Sequence, residues 1–466
     1  MRSNIKFANS ARTHEGGLST KILNPADRLR RSVMACMLFE DSFYEDGETV
    51  ANRISAAIKQ CTFEEVAAIA IEAREQMKLR HVPLLIVREL LRFHTGRKVG
   101  DLIERVIQRP DEMAELLAIY WKNGKDQPLT SQLKIGLARA FGKFNEYQLA
   151  KWSKDNSDIK LRDVLFLSHA RPRVRLGDDK FTKAERKGLM QGAHIDARPS
   201  GLSDDEMLYG KVAYGVLDTP DTWEVQLSAG ADKKETFERL IAERKLGALA
   251  LLRNLRGMIE AGVNDSLIAH AINSMKTERV LPFRFISAAK YAPRFEPELE
   301  SAMFRCLDEV PKLGGNTALL VDHSHSMDNK VSEKSDITRF DAAAALAMIL
   351  RETTDRCRVF TFAEKCVEVP PRRGFGMLQA IRDVRDPVST KLGKAVRHVY
   401  EEFPECDRII VITDEQSQDR PPQPHGRGYI INVECYENGI GYGNWVTISG
   451  WSEAVIEYIK ANEAQI

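Results

Sequence analysis

Asn316-Thr317-Ala318-Leu319-Leu320-Val321-Asp322-His323-Ser324-His325-Ser326-Met327 is the stretch whose reading decides the fold. The apolar run from Thr317 to Val321, closed by a polar turn, reads as a strand buried on both faces of a parallel sheet. The turn then lies at the carboxyl end of that strand, where open α/β sheets hold their ligands. Asp322, Ser324 and Ser326 stand at alternate positions and put a carboxylate and two hydroxyls on one tight loop. Hard oxygen donors of this kind suit Mg2+, Mn2+ or Ca2+.

A divalent cation takes about six oxygens, so further donors are expected downstream. Ser389-Thr390 opens an amphipathic segment continuing through Leu392, Val396 and Val399, which puts the Thr390 hydroxyl near a helix start. Asp414 follows the apolar run Ile409-Ile410-Val411-Ile412-Thr413, again a carboxylate just past a buried strand. Taken singly, such residues are more often helix caps than ligands. The order Asp-x-Ser-x-Ser, then Thr, then a strand-terminal Asp is far more specific. It resembles the metal-ion-dependent adhesion site of the von Willebrand factor A fold, a Rossmann-like α/β domain, over residues 313–466. The resemblance implies that Ser324, Ser326 and Thr390 ligate a divalent cation, Mg2+ foremost, with Asp322 and Asp414 often acting through water. It also implies an open position for water or an acidic group of a protein ligand. The glycine pair expected before the threonine is Val388-Ser389 here, which removes backbone freedom from that loop. His323 and His325 read as pointing away from the cation.

The chain of 466 residues is long enough for about two or three domains. Its 43% hydrophobic and 29% charged residues describe a globular protein. No apolar run approaches the roughly 18 residues of a membrane span, and the first residues lack a secretory core. Seven cysteines are scattered without a CxxC spacing and read as reduced thiols of a cytoplasmic protein. The phosphate-cradle motif G-x-x-x-x-G-K-[ST], the zinc-protease motif H-E-x-x-H and the nucleophile motif G-x-S-x-G are all missing from the sequence, so catalysis is not expected. Gly374-Phe375-Gly376, not directly preceded by a strand, reads as a surface turn.

Upstream of the deciding stretch the pattern is helical. Residues 1–24 read as a loosely held arm, and a helical reading begins at Asp27. Apolar residues recur at helical spacing from Glu64 to Met77, from Val82 to Phe93, through Leu102, Ile103, Val106 and Ile107, and from Ser131 to Phe141. Serial amphipathic helices joined by short turns suggest stacked pairs of the HEAT or armadillo type over residues 25–312, with an ordinary bundle as the alternative. Residues 1–312 carry 50 basic against 44 acidic side chains, and residues 313–466 carry 18 against 23. The two parts therefore differ in sign, which points to different partners. Residues 151–200 hold twelve Lys and Arg against seven acids. Lys151, Trp152, Lys154, His169, Arg171, Arg173 and Arg175 there combine cations with rings, the usual equipment for RNA. A solvated basic face is the plainer reading of the same run.

Residues 151–172, the stretch Leu251-Leu252-Arg253-Asn254-Leu255-Arg256-Gly257-Met258, Arg279-Val280-Leu281-Pro282-Phe283 and Arg28-Leu29-Arg30-Arg31 resemble the TROVE module of the Ro ribonucleoprotein autoantigen family. That module followed by an A-type domain is the family's own arrangement. The resemblance implies a ring of HEAT-like repeats closed by the A domain, in a monomer. It implies small structured Y-like noncoding RNA on the basic surface and single-stranded ends of misfolded RNA in the central hole. An exoribonuclease would be a further partner. On this reading Lys151, Lys154 and His169 fall in the RNA-contacting stretch. The compact length fits a bacterial or phage relative. A protein–protein adhesion module, using the cation to capture a carboxylate, stands as the second reading.

Overall fold

The structure, a computed structural model, describes residues 24–34, 47–122, 124, 127–153, 158–170, 204–218, 220–277, 280, 282–308, 310, 312–331, 336–386, 389–434, 440, 443–450 and 454–463. The chain divides into two compact units, residues 58–231 and residues 1–57 with 232–466. The predicted architecture, helical repeats followed by a Rossmann-like α/β domain, is the one observed.

In the unit of residues 58–231, helices Phe63–Ile71, Val99–Val106, Ser131–Phe141 and Leu161–Ser168 pack each on the next, while Val82–Phe93 packs on Asp111–Tyr120. Contact between every second helix makes two layers, the arrangement of helical-repeat proteins, in which each pair covers the apolar face of its neighbour. The local signals agree with it. Thr62 accepts the amide of Glu65 while its own amide donates to the Glu65 carboxylate, a reciprocal cap that starts the first helix. The continuous helix expected over 64–77 instead ends at Ile71 and passes through a wider turn, Glu72–Gln76. There buried Arg74 donates to Glu112 Oε1 at 2.6 Å and to the Val106 carbonyl at 2.9 Å, tying three segments together.

The second unit repeats the pattern and then extends it. Helix Ala248–Glu260 packs on Phe283–Tyr291, and Asp265–Ser274 on Glu296–Leu307. The next two partners come from the sheet domain: Arg339–Glu352 packs on Phe283–Tyr291, and Gly374–Asp383 on Glu296–Leu307. Helix Arg339–Glu352 is therefore covered on both sides, which is why the run Ala342-Ala343-Ala344-Ala345-Leu346-Ala347 is wholly buried.

The sheet consists of β1 (Leu313–Asp322), β2 (Thr354–Phe362), β3 (Cys366–Glu368), β4 (Arg408–Thr413), β5 (Arg427–Asn432) and β6 (Val446–Ser449). Its order is β3-β2-β1-β4-β5-β6, parallel throughout except for β3 at one edge. Ala318 and Leu320 of β1 share a core with Leu392, Val396 and Val399 of helix Leu392–Glu402. With a side-chain period of two, Leu319 and Val321 face the opposite side, toward Arg339–Glu352.

One expectation is overturned. Gly374-Phe375-Gly376 is the first turn of helix Gly374–Asp383, with Gly374 and Phe375 buried, rather than a surface turn. Gly374 has a positive φ of 51° and lies against Glu300, which leaves no room for a side chain. Cys61, Cys306, Cys357, Cys366 and Cys406 are free thiols, and burial pushes Cys357 and Cys366 up to about 12. Cys36 and Cys435 lie outside the described residues. Among the described residues no helix is long and apolar enough to cross a membrane.

Helices Val99–Val106 and Ser131–Phe141 come close at Gly136, where a Cβ would sit 2.5 Å from Ile103 Cβ and 2.9 Å from the Gly100 carbonyl. Gly136→Val is expected to push these helices apart at a cost of about 1–3 kcal/mol. Chemical denaturation checks this; an unchanged midpoint would contradict the packing.

Candidate functional sites

The carboxyl edge of the sheet gathers the residues singled out from sequence. β1 pairs with β4 so that Val321 stands beside Ile412, which carries Asp322 to Thr413. The Thr413 hydroxyl donates to Asp322 Oδ2 at 2.5 Å, and the Ser324 amide donates to Asp322 Oδ1 at 2.9 Å. Ser326 Oγ donates to Asp414 Oδ2 at 2.6 Å and lies 3.3 Å from Ser324 Oγ. Asp322, Ser324, Thr390 and Asp414 are buried, with Ser326 half-buried above them. Burial and, secondarily, the Asp414 carboxylate push Asp322 up to about 7. Two buried carboxylates facing each other is an arrangement that a cation relieves.

Thr390 decides whether the donor set fits a metal. Its place before helix Leu392–Glu402 would make it an ordinary cap, yet the helix's first amides are taken by other groups. The Leu392 amide donates to Ser417 Oγ at 3.0 Å, and those of Gly393 and Lys394 to the Asp419 carboxylate at 2.8 and 2.9 Å. Meanwhile the Thr390 carbonyl accepts from the Gln418 amide and from Ser417 Oγ, which holds Thr390 against the loop that carries Asp414. Its hydroxyl is buried without a hydrogen-bond partner. An orphaned buried oxygen is costly, and a hard cation would satisfy it. The residues thus fit such an ion through two carboxylates and three hydroxyls. Among the described residues no cluster of three or more His, Cys, Asp or Glu forms a metal site of another kind. Val388 lies outside the described residues, and Ser389 donates to Glu364 at 3.0 Å.

The two flanking histidines differ. His325 projects into solvent beside Asp328, whereas His323 is buried, its ring held down to about 4 chiefly by burial and then by Arg385.

The sequence reading missed what braces this loop. Arg31, on helix Pro25–Met34, is fully buried and donates to Glu415 Oε1 at 2.9 Å, immediately after Asp414. Glu415 adopts a left-handed backbone, φ 60°, and its amide donates to Thr413 Oγ1 at 3.0 Å. The same helix packs on β6, where Gly450, φ 89°, leaves space for the Met34 carbonyl. Nothing in the spacing of Arg28-Leu29-Arg30-Arg31 distinguishes the buried arginine from a surface one.

In the helical unit, the predicted RNA-contacting residues divide. Lys154, Arg171, Arg173 and Arg175 lie outside the described residues. Lys151 ends helix Glu146–Trp152, 27% exposed and 3.5 Å from Glu224. His169 is exposed and caps helix Leu161–Ser168 in the left-handed conformation, φ 55° and ψ 37°. Asn254 donates to the Ala250 carbonyl of its own helix at 2.8 Å, and Arg253 is exposed.

Comparison with known proteins converges on the same two modules. Residues 211–350 match the TROVE domain and residues 317–416 the von Willebrand factor type A domain, which contains all five cation-site residues. The TROVE match begins after Lys151 and His169. Telomerase protein component 1 of Rattus norvegicus is 24% identical over 452 residues, 82% of this chain and 16% of its own length. The Mus musculus protein of that name is 24% identical over 229 residues, 46% of this chain and 8% of its own. The chain thus spans a small fraction of these relatives. The fold is shared with the crystal structure of Deinococcus radiodurans Ro (RSR) protein, TM-score 0.54 at 16% identity, covering 94% of this chain and 99% of that one.

Arg31→Ala would leave the Glu415 carboxylate buried without this guanidinium, a loss of about 3–5 kcal/mol. A melting temperature equal to that of the unaltered protein would show that the pair does not brace the loop.

Proposed function

We propose that this protein is an RNA-binding scaffold of the Ro type. It takes small structured noncoding RNA and single-stranded RNA ends on its helical repeats, and it carries a cation-dependent adhesion site on its A-type domain. The observation that carries the reading is the TROVE domain itself, since TROVE-family proteins bind noncoding RNA. Its role in this reading is to hold RNA and present ends to a nuclease or refolding factor, so it binds and does not catalyse.

Two features of the helical unit support it. Lys151 is paired with a partly exposed carboxylate, and such pairs are worth about 0–1 kcal/mol, so a phosphate can replace Glu224 at small cost. His169 occupies a backbone position that glycine fills without strain, and the imidazole it carries is presented to solvent, available to phosphate or base.

On the A-type domain, Ser324, Ser326 and Thr390 would hold Mg2+, with Asp322 and Asp414 behind them. The ion supplies an electrophilic point for an acidic group on a partner protein. This second reading, protein adhesion, is favoured by one observation of its own, the unpartnered Thr390 hydroxyl.

The RNA reading is tested by titrating the whole protein against a labelled structured RNA at rising salt. Affinity should fall steeply, and Lys151→Ala with His169→Gly should weaken it while melting stays within a few degrees. Salt-independent binding, or none, rejects it. For the cation, Mg2+ at about 100 times its dissociation constant should stabilise the protein by about 2.7 kcal/mol, and Thr390→Ala or Asp322→Ala should abolish that gain. An undiminished response in both variants removes these residues from the site.

A further inference from the structure

Tyr147 and Phe166 are the two most exposed large apolar side chains among the described residues, at 52% and 60%. Each sits one helical turn before a residue already implicated in phosphate contact. Tyr147 precedes Lys151 by four positions on helix Glu146–Trp152, and Phe166 precedes His169 by three on helix Leu161–Ser168. At i and i+4, Tyr147 and Lys151 share a helix face, while His169 caps the end of the helix that carries Phe166.

The second helix shows the pattern plainly. Leu161, Val164, Leu165 and Ser168 are buried, whereas Arg162, Phe166 and His169 are exposed. Arg162 and Phe166, at i and i+4, put a guanidinium and a phenyl ring on one stripe, and the exposed imidazole of His169 follows at the helix cap. Among the described residues, packing accounts for the buried side chains and gives no reason for a phenylalanine on the opposite side. Several other aromatic rings among the described residues of this unit are already engaged. Tyr120, Phe141 and Tyr209 are buried, and Trp152 has the Arg109 guanidinium 3.7 Å from its ring centroid.

Resting on the RNA reading above, we propose that Tyr147 and Phe166 are stacking platforms for unpaired bases of single-stranded RNA. Lys151, Arg162 and His169 meet the phosphates on either side. Positive charge interleaved with exposed rings is how single strands are held without sequence preference. A protein-docking surface would instead gather its apolar residues at a centre depleted of charge. The two rings stand apart along the sequence, each with its own cation.

The test uses the whole protein and a fluorescein-labelled 12-residue oligoadenylate, beside an abasic ribose-phosphate strand of the same length. Phe166→Ala and Tyr147→Ala are each expected to weaken oligoadenylate binding about fivefold or more, with the salt slope unchanged. Phe166→Tyr should retain affinity, Phe166→Leu should not, and the abasic strand should bind the unaltered protein and these variants alike. Lys151→Ala should instead lower affinity for both strands and flatten the salt slope. If Lys151→Ala weakens binding while the aromatic variants match the unaltered protein, stacking is refuted and the RNA reading stands. Equal losses of the aromatic variants on both strands refute stacking too. If the unaltered protein binds neither strand nor structured RNA, both proposals fall.

Discussion

The register of β1 against β4 is the constraint on which the sheet edge depends. Pairing Val321 with Ile412 leaves Asp322 and Asp414 at the ends of adjacent parallel strands, with Thr413 bridging between them. A slip of one residue would turn the slipped strand's carboxylate to the other face of the sheet, away from its neighbour's. The register is fixed in turn by burial on both sides, because Ala318 and Leu320 belong to one core and Leu319 and Val321 to the other. The apolar core therefore holds two acids together that would otherwise avoid each other, and a loop of hydroxyls closes over them.

This part of the molecule was legible because the signals are local. An apolar run ending in Asp-x-Ser-x-Ser states both the strand and its polar end, and the runs before Asp414 and after Thr390 do the same. The spacing of helical residues likewise located Val82–Phe93 and Ser131–Phe141 with their observed limits. What stayed hidden depends on contacts between distant residues. Arg31 looks like any basic residue until Glu415, 384 positions later, is placed against it. Ser417 and Asp419 accept the amides of Leu392 and Gly393, 25 and 26 residues before them, and so cap that helix. Gly374 read as a surface turn because no strand directly precedes it, while Glu300, which lies against it, is 74 residues away in sequence.

The helical part shows how a repeat and a sheet domain can share one plan. Every second helix packs on the next, and the series passes without change of rule from Glu296–Leu307 to Gly374–Asp383, although strands β1, β2 and β3 and helix Arg339–Glu352 intervene in sequence. Arg339–Glu352 belongs to both systems, and its alanines serve both contacts, being small enough for the sheet on one side and the repeats on the other. A larger residue at Ala343 or Ala344 would meet resistance from both directions.

The tie between Arg31 and Glu415 has a consequence for how the chain is made. Residues separated by 384 positions leave the ribosome some 20 to 80 seconds apart at usual synthesis rates of about 5–20 residues per second. Throughout that interval helix Pro25–Met34 has no sheet edge to rest on, and the side chains it will bury, Leu29 and Val33 among them, face water or whatever chaperone meets them first. Helix Pro25–Met34 is thus synthesised long before the partner that seats it.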